Sequence, residues 1–201
     1  DVLEPTKVQI LDTLGVAVAG TSFGTADPLI NLVKEWGGKE EATILVYGDR
    51  VPAPHAAMVN GFMAAVLDYD DTDDRCSAHI SANIVMPGFA IAEHLGGVSG
   101  KDFMAAVALG FDLAARLGRA ELPRKGRELT SAWAGGKSLA AASVSGKLLN
   151  LDEVKLRNAL GIAMEEVSDG MIGYGDGATS KGAWGWTFSR TGIIAALLAE
   201  G

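Results

Sequence analysis

Apolar residues recur at helical spacing along most of this chain. Near the start, four of them stand three or four positions apart: Val8, Leu11, Leu14 and Val18. That spacing places them on one face of a helix, and Gly20 follows where such a helix can end. The pattern predicts a first helix that ends near Gly20.

The same spacing, together with residues typical of helix ends, predicts seven further helices. They are expected over about 27–36, 54–67, 83–94, 99–117, 131–149, from 152 onwards, and over 180–200. Ser99 and Asp102 resemble a capping box, and Asp152 is a further N-cap. Ala42–Tyr47 is extended and short, so we expect a connector or a small hairpin there. The prediction is an all-α helical bundle of about eight helices that forms a single domain over 1–201.

Composition and charge narrow the class of protein. Hydrophobic residues make up 48% of the 201 residues and charged residues 21%, which provides a core and argues against disorder. No uncharged apolar run reaches the roughly 18 residues that suggest a membrane helix, so no membrane partner is predicted. The single cysteine, Cys76, suits a reducing cytoplasm, and the net charge of −8 disfavours nucleic acid. Because the first residue is not Met, we expect the chain to begin inside a longer reading frame.

A polar stretch from Asp68 to Ala82 interrupts the apolar pattern. It carries five Asp within seven residues, followed by His79, and it lies between the apolar runs 57–67 and 84–95. Because both runs predict helices, we expect two helices to deliver an acidic loop to one place.

Two metal-binding interpretations of this loop can be compared with known motifs. A calcium loop of the EF-hand type is excluded, because Asp73 stands where Gly is required and His79 where Glu is required. The spacing of Asp70, Asp71 and Asp74 fits an Asp-Asp-x-x-Asp motif, which binds Mg²⁺ and diphosphate in all-α prenyl and terpenoid synthases. No second acidic motif follows it downstream.

A third interpretation is metal-free acid–base chemistry on a small carboxylic acid. Asp68, Thr72 and His79 would converge with a cation from elsewhere, because an imidazole passes protons in either direction near neutral pH. Asp68 directly follows an apolar helix, so we expect it to be the most desolvated carboxylate. The other loop aspartates are expected to be capping or solvated charges, and His55 and His94 to be structural.

Segments spread over nearly the whole chain resemble one known family. They are Ile10-Leu-Asp-Thr-Leu-Gly15, Asn60-Gly61, Asp68-Tyr-Asp-Asp-Thr72, His79-x-Ser81-Ala82, Ser99-Gly-Lys-Asp102, Asn158-Ala-Leu-Gly-Ile162 and Arg190-Thr-Gly192. Together they resemble the MmgE/PrpD family, which includes 2-methylcitrate dehydratase, cis-aconitate decarboxylase and iminodisuccinate epimerase. The resemblance implies the large helical domain of a two-domain protein, a homodimer formed through that domain, and no metal or organic cofactor.

The resemblance also implies a set of site residues. Carried over by position, they are Asp68, Thr72, His79 and Lys181 as catalytic residues, with Ser81 in substrate binding. The aspartate and the histidine would perform acid–base work, and the lysine would hold a substrate carboxylate.

The sequence departs from the family pattern in four places. Residues 129–133 replace a frequent Gly-x-His-Pro-Thr segment, so a second catalytic histidine is missing there. Ile80 follows His79 where the family often has Pro, and Trp184 and Trp186 are bulkier than the usual residues. The family's smaller α+β domain is absent from this sequence.

Four functions are open at this point. The first is a cytoplasmic, metal-independent lyase that dehydrates or decarboxylates a small di- or tricarboxylate. The second is an epimerase of a dicarboxylate such as iminodisuccinate. The third is a non-catalytic helical half that dimerises, or that needs a second chain to supply the missing small domain. The fourth, less favoured, is a Mg²⁺-dependent prenyl or terpenoid synthase.

Overall fold

The structure is a computed structural model that describes residues 2–22, 24–74, 78–121, 132–166 and 182–201. Within these ranges the chain forms eight helices and one short sheet, which confirms the predicted all-α bundle. The helices are α1 (Leu3–Ala19), α2 (Asp27–Trp36), α3 (Ala53–Ala65), α4 (Ala82–Leu95), α5 (Gly100–Glu121), α6 (Ala132–Leu148), α7 (Glu153–Glu165) and α8 (Gly182–Glu200).

The predicted extended run forms a small hairpin. Strand β1 (Ala42–Thr43) pairs antiparallel with β2 (Arg50–Val51). The buried side chain of Asn60 on α3 ties the hairpin to the bundle: its amide donates to the carbonyl of Thr43 at 2.9 Å and accepts from the backbone N–H of Leu45 at 3.0 Å. Both polar ends of the buried amide are therefore satisfied.

Helix α3 is the central element, because nearly all of its residues are buried. It packs most extensively against α8, and α8 in turn packs against α6. At the α3–α8 crossing Gly61 faces Gly185, and a Cβ on Gly185 would stand only 2.0 Å from the Gly61 carbonyl oxygen. Small residues thus let the backbones touch, and this contact sets the position of the first turn of α8 beside the site described below.

The predicted helix boundaries agree well with the structure. The Ser99 hydroxyl accepts from the backbone N–H of Asp102 at 3.1 Å, and the Asp152 carboxylate accepts from that of Lys155 at 2.9 Å. Both predicted N-caps are therefore formed. Helix α5 continues to Glu121, beyond the predicted end at about 117.

The apolar stripe of α1 is mostly exposed. Val8, Leu11 and Val18 are exposed, and the buried residues of α1 are Thr6, Thr13, Val16 and Ala17. The physical reason is the close approach of α1 to α3. At Gly20, just after α1, a Cβ would stand 2.0 Å from the Met63 carbonyl oxygen, so the smaller face of the helix fits against α3.

No helix in the part of the chain that the structure describes is both long enough and apolar enough to cross a membrane.

Candidate active site

The loop between α3 and α4 folds back on itself and brings its two ends together. Asp68 adopts a left-handed backbone conformation (φ 53°), which Asp tolerates better than most residues, and its N–H donates to the Ala65 carbonyl at 3.2 Å. Further on, Asp73 and Ala78 pair through two backbone hydrogen bonds of 2.9 and 3.4 Å. As a result, His79 returns to the residues that begin the loop.

The His79 imidazole lies between two carboxylates. Its Nδ1 is 3.3 Å from Oδ1 of Asp70, and its Nε2 is 3.7 Å from Oδ1 of Asp68. The Asp70 side chain is 2% exposed, whereas that of Asp68 is 51% exposed and that of His79 26% exposed. We call these three residues the histidine cluster; it has a buried side at Asp70 and an open side at Asp68.

The expectation that Asp68 is the most desolvated carboxylate is wrong, because the buried carboxylate is that of Asp70. The left-handed turn at Asp68 directs its side chain outward, and the chain then enters the bundle at Asp70. The sequence pattern alone favours a capping or solvated role for Asp70. The sequence does contain a signal for this cluster, because Asp68 and Asp70 are followed by His79, nine positions after Asp70. Only the folded loop shows which of the two carboxylates is buried.

Asp70 controls the protonation of His79. The pKa of His79 is raised above its ordinary value of 6.5, chiefly by the bond to the Asp70 carboxylate, while partial burial and the Lys137 ammonium act in the opposite direction. Asp70 Oδ1 and His79 Nδ1 face each other at 3.3 Å, and neither atom makes a hydrogen bond of regular geometry within the described ranges. A proton is therefore favoured between these two atoms, and Nε2 is directed to the open side.

The neighbouring carboxylate, Asp71, holds the start of α4. Its Oδ1 accepts from the backbone N–H of Ser81 at 2.8 Å and from that of Ile80 at 3.3 Å. Burial raises the pKa of the Asp71 carboxyl, and hydrogen bonds from Ser81 and Ile80 oppose that rise. Asp70 and Asp71 thus attach the loop to the imidazole and to the helix that follows it.

Thr72 lies elsewhere. It is exposed on a cavity of about 810 Å³ between the loop, α1 and α5. Its lining includes Thr6, Gln9, Phe111, Arg116 and Arg119. No member of the histidine cluster is among the described lining residues, so the structure brings together Asp68 and His79 but does not show Thr72 with them. Its catalytic role stays a prediction.

The remaining predicted site residues are Ser81 and Lys181. The Ser81 side chain is fully buried, and its hydroxyl has no hydrogen-bond partner within the described ranges, so its substrate-binding role stays a prediction. Lys181 lies outside the described residues, as does the glycine-rich stretch 170–177.

The other two histidines lie outside the cluster. The Nδ1 of His94 is 3.3 Å from Oε1 of Glu41, which joins α4 to the segment before β1. The His55 ring packs against Trp36 with centroids 5.3 Å apart, and burial lowers its pKa. These contacts are structural, as expected.

The histidine cluster is also the place where a cation would find ligands. One donor atom from each of its three residues lies within 4.8 Å of the others. Such acidic groups are common in proteins without an ion, and the predicted absence of a cofactor stays a prediction. The helical Asp-Asp-x-x-Asp arrangement is not formed: Asp70, Asp71 and Asp74 lie in the loop, and the first two bind His79 and the start of α4.

A buried charged residue that the sequence does not reveal is Lys137 on α6, which is 3% exposed. It stands among small residues in a helix of weak amphipathic pattern, so its burial could be known only from the packing of α6 against α8.

The sequence is similar to known proteins over its whole length. A profile of the MmgE/PrpD N-terminal domain matches residues 1–201. The chain is 30% identical over 210 residues to a cis-aconitate decarboxylase of Aspergillus terreus. It is 29% identical over 211 residues to a cis-aconitate decarboxylase-like protein of Aspergillus oryzae. Both matches cover the whole chain. The human cis-aconitate decarboxylase is 28% identical over 170 residues, or 81% of the chain.

The chain spans less than half the length of each relative: 42% of the A. terreus protein, 43% of the A. oryzae protein and 35% of the human one. What it shares with all three is the region described by the profile. The chain therefore belongs to the MmgE/PrpD family, of which it represents the N-terminal domain.

Proposed function

We propose that the protein is a lyase that uses the histidine cluster for acid–base chemistry on a small di- or tricarboxylate. Decarboxylation of the cis-aconitate type is the leading reaction, because the relatives that match the whole chain are cis-aconitate decarboxylases or similar to them. Dehydration of the 2-methylcitrate type uses the same groups. We further propose that the protein acts in the cytoplasm.

The observation that carries this proposal is the imidazole held between a buried and a half-exposed carboxylate. Asp70 at Nδ1 orients the ring and stabilises its protonated form, and Nε2 points to the open side where a substrate would enter. Asp68 stands next to that nitrogen and can accept or return a proton. In this arrangement His79 can donate a proton to the substrate, and the neighbouring Asp68 carboxylate can help to return a proton to the imidazole.

In the decarboxylation, the bond to the departing carboxylate breaks and its electron pair stays on the carbon skeleton. A proton from the imidazolium then takes the place of the CO₂, which leaves a neutral imidazole. In the dehydration, the neutral imidazole removes a proton from a carbon beside a carboxylate, the C–C double bond forms as the C–O bond breaks, and the imidazolium returns its proton to the departing hydroxyl group, which leaves as water. Both reactions need one group that titrates near neutral pH, which is the role of His79.

Epimerisation is the second candidate, because Asp68 and His79 lie side by side on the open side of the cluster. Two adjacent groups can remove a proton from a carbon and return one to it without any elimination. Incorporation of solvent deuterium into unreacted dicarboxylate, with no loss of water or CO₂, would identify this reaction.

Other groups complete the proposed site. By the family resemblance, Lys181 binds a substrate carboxylate. We propose that the remaining parts come from polypeptide outside these 201 residues, either in the same protein or in a partner chain, and that the protein works as a homodimer. Native mass spectrometry of the purified protein would identify the chains in the assembly.

The test is substitution of His79 in the full-length natural protein, with cis-aconitate, 2-methylcitrate, citrate and iminodisuccinate as substrates. His79→Gln should lower kcat by about 100-fold or more, because general acid–base catalysis contributes that much. His94→Gln is the matched control, since that imidazole also lies 3.3 Å from a carboxylate, and it should retain activity.

Turnover that survives His79→Gln would refute the assignment of the histidine cluster. Turnover that is lost with EDTA and restored by a divalent cation would instead assign a metal-dependent reaction to the protein. Circular dichroism of both variants establishes that any loss of activity does not come from unfolding.

A further inference from the structure

Asp71 ends the first arm of the loop, which carries Asp70, and it binds the second arm, which begins at His79. Its Oδ1 accepts two backbone hydrogen bonds, from the N–H of Ser81 at 2.8 Å and from that of Ile80 at 3.3 Å. Asp71 directly follows Asp70, and Ile80 directly follows His79. The Asp71 carboxylate therefore links the neighbour of the buried acid to the neighbour of the imidazole.

The contact between Asp70 and His79 does not hold the two arms together by itself. Oδ1 of Asp70 and Nδ1 of His79 are 3.3 Å apart and, among the described residues, neither atom makes a hydrogen bond of regular geometry. Asp71 makes two hydrogen bonds to the second arm, and the bond from Ser81 is short. Hydrogen bonds to an ionised carboxylate are about twice as strong as those between neutral groups. The position of the imidazole opposite Asp70 therefore depends on Asp71.

The start of α4 depends on the same carboxylate. Ser81 stands directly before this helix, and its side chain makes no capping hydrogen bond there. The N–H groups at a helix start need acceptors from outside the helix, and Asp71 supplies one from the first arm. Ile80 and Ser81 are both buried, so water is a poor substitute for that acceptor. Without Asp71, the second arm would have to move to satisfy its N–H groups.

We propose that Asp71 is a positioning residue of the lyase: it holds the second arm so that the His79 imidazole faces Asp70 with Nδ1 and the open side with Nε2. It acts through the backbone N–H groups of Ile80 and Ser81. A misplacement of about 1 Å can lower the rate of a catalysed step by about 100-fold, so this attachment matters for turnover. The effect on turnover rests on the proposed function, whereas the effect on the imidazole can be measured without substrate.

Three substitutions in the full-length protein separate the position of Asp71 from its charge. Asp71→Asn removes the charge but keeps an oxygen acceptor, and one oxygen is enough because both N–H groups donate to the same atom. Asp71→Glu keeps the charge but moves the acceptor one methylene further from the backbone. Asp71→Ala removes both. Asp152→Ala is the matched control, because it removes a carboxylate that caps α7, a helix outside the histidine cluster.

Turnover is measured on whichever of the four carboxylates the wild type converts. Asp71→Ala should lower kcat by roughly 10- to 100-fold and leave KM within about 2-fold, because a displaced imidazole impairs proton transfer more than substrate binding. Asp71→Asn and Asp152→Ala should keep kcat within about 3-fold of wild type, and Asp71→Glu should lose about as much as Asp71→Ala.

The order of the Asn and Glu variants decides between position and charge. An active Asp71→Glu beside an inactive Asp71→Asn would overturn the proposal and assign the effect to the charge of Asp71. Wild-type kcat in Asp71→Ala would overturn it as well. If Asp71→Ala does not fold, the contrast between Asp71→Asn and Asp71→Glu still gives the answer.

The NMR resonances of the two His79 ring nitrogens report the position of the imidazole in the absence of substrate. In the wild type, the neutral ring should carry its proton on Nδ1, the nitrogen that faces Asp70. This form should persist in Asp71→Asn and Asp152→Ala, whereas Asp71→Ala and Asp71→Glu should move the proton towards Nε2. Asp68 and Lys137, which also act on the charge of His79, are the same in every variant.

These resonances also separate failure of this inference from failure of the proposed function. Identical ring-nitrogen resonances of His79 in wild type, Asp71→Ala and Asp71→Glu would refute the positioning role and leave the lyase untouched. Turnover that survives His79→Gln would overturn the lyase, while a change of the His79 ring in Asp71→Ala would still show that Asp71 positions it.

Discussion

The glycine-to-glycine contact between α3 and α8 leads to a quantitative prediction. Gly185→Ala places a methyl group 2.0 Å from the Gly61 carbonyl oxygen, whereas ordinary contact begins at 3.4 Å. The helices would therefore have to separate locally by about 1.4 Å. Because the obstacle is backbone, no side-chain rotation relieves the contact.

The expected magnitude follows from two opposing terms. Overpacking of a core costs about 1 to 3 kcal/mol, and a backbone clash lies at the upper end of that range. Alanine regains up to about 1 kcal/mol of helix propensity. The net loss in the free energy of unfolding should be about 2 kcal/mol, which lowers Tm by roughly 4 to 8 °C for a domain of this size.

Thermal unfolding followed by circular dichroism measures this loss, with Gly161→Ala as the control. Gly161 is also helical, in α7, but a Cβ there meets nothing within 4 Å, so that variant should be stabilised by up to about 1 kcal/mol. Equal stability of Gly185→Ala and Gly161→Ala would refute the close approach of α3 and α8.

Two further predictions concern the loop. Asp70→Asn removes the main cause of the raised His79 pKa, so the His79 midpoint in an NMR titration, and the matching limb of the kcat/KM profile, should move to lower pH. Because the folded-state pKa of His79 is raised, protonated His79 stabilises the fold fully below about pH 6.5, and this stabilisation is lost as the pH rises through the raised pKa. Wild type and Asp70→Asn should therefore converge in stability at high pH. A stability difference that is the same at every pH would contradict this. Asp71→Ala removes the acceptor of the Ser81 N–H. Chemical denaturation should then show that the free energy of unfolding falls by about 1 to 3 kcal/mol. An unchanged denaturation midpoint would show that Asp71 does not hold the start of α4.

The sequence predicted the fold well because local signals and packing agree in most of the chain. The caps at Ser99 and Asp152 and the apolar runs on both sides of the loop are short-range features, and all of them appear in the structure. The orientation of α1 could not be predicted this way. Contact with α3 selects the face with the smaller side chains, and that selection depends on the partner helix.

The candidate site was predicted in part for the same reason. Asp68 and His79 were identified from the motif and do lie side by side. The buried carboxylate was misassigned because one left-handed residue decides which of Asp68 and Asp70 points inward. The burial of Lys137 could not be predicted because its contact with Trp184 on α8 joins residues more than forty positions apart in the sequence.

The loop that carries the histidine cluster is closed by its own backbone pairing between Asp73 and Ala78. Among the described residues, those that contact the imidazole or hold the start of α4 lie outside that closure, at 68–71 on one side and 79–81 on the other. A change in the number of residues between Asp73 and Ala78 should therefore leave the contacts of His79 with Asp68 and Asp70 in place.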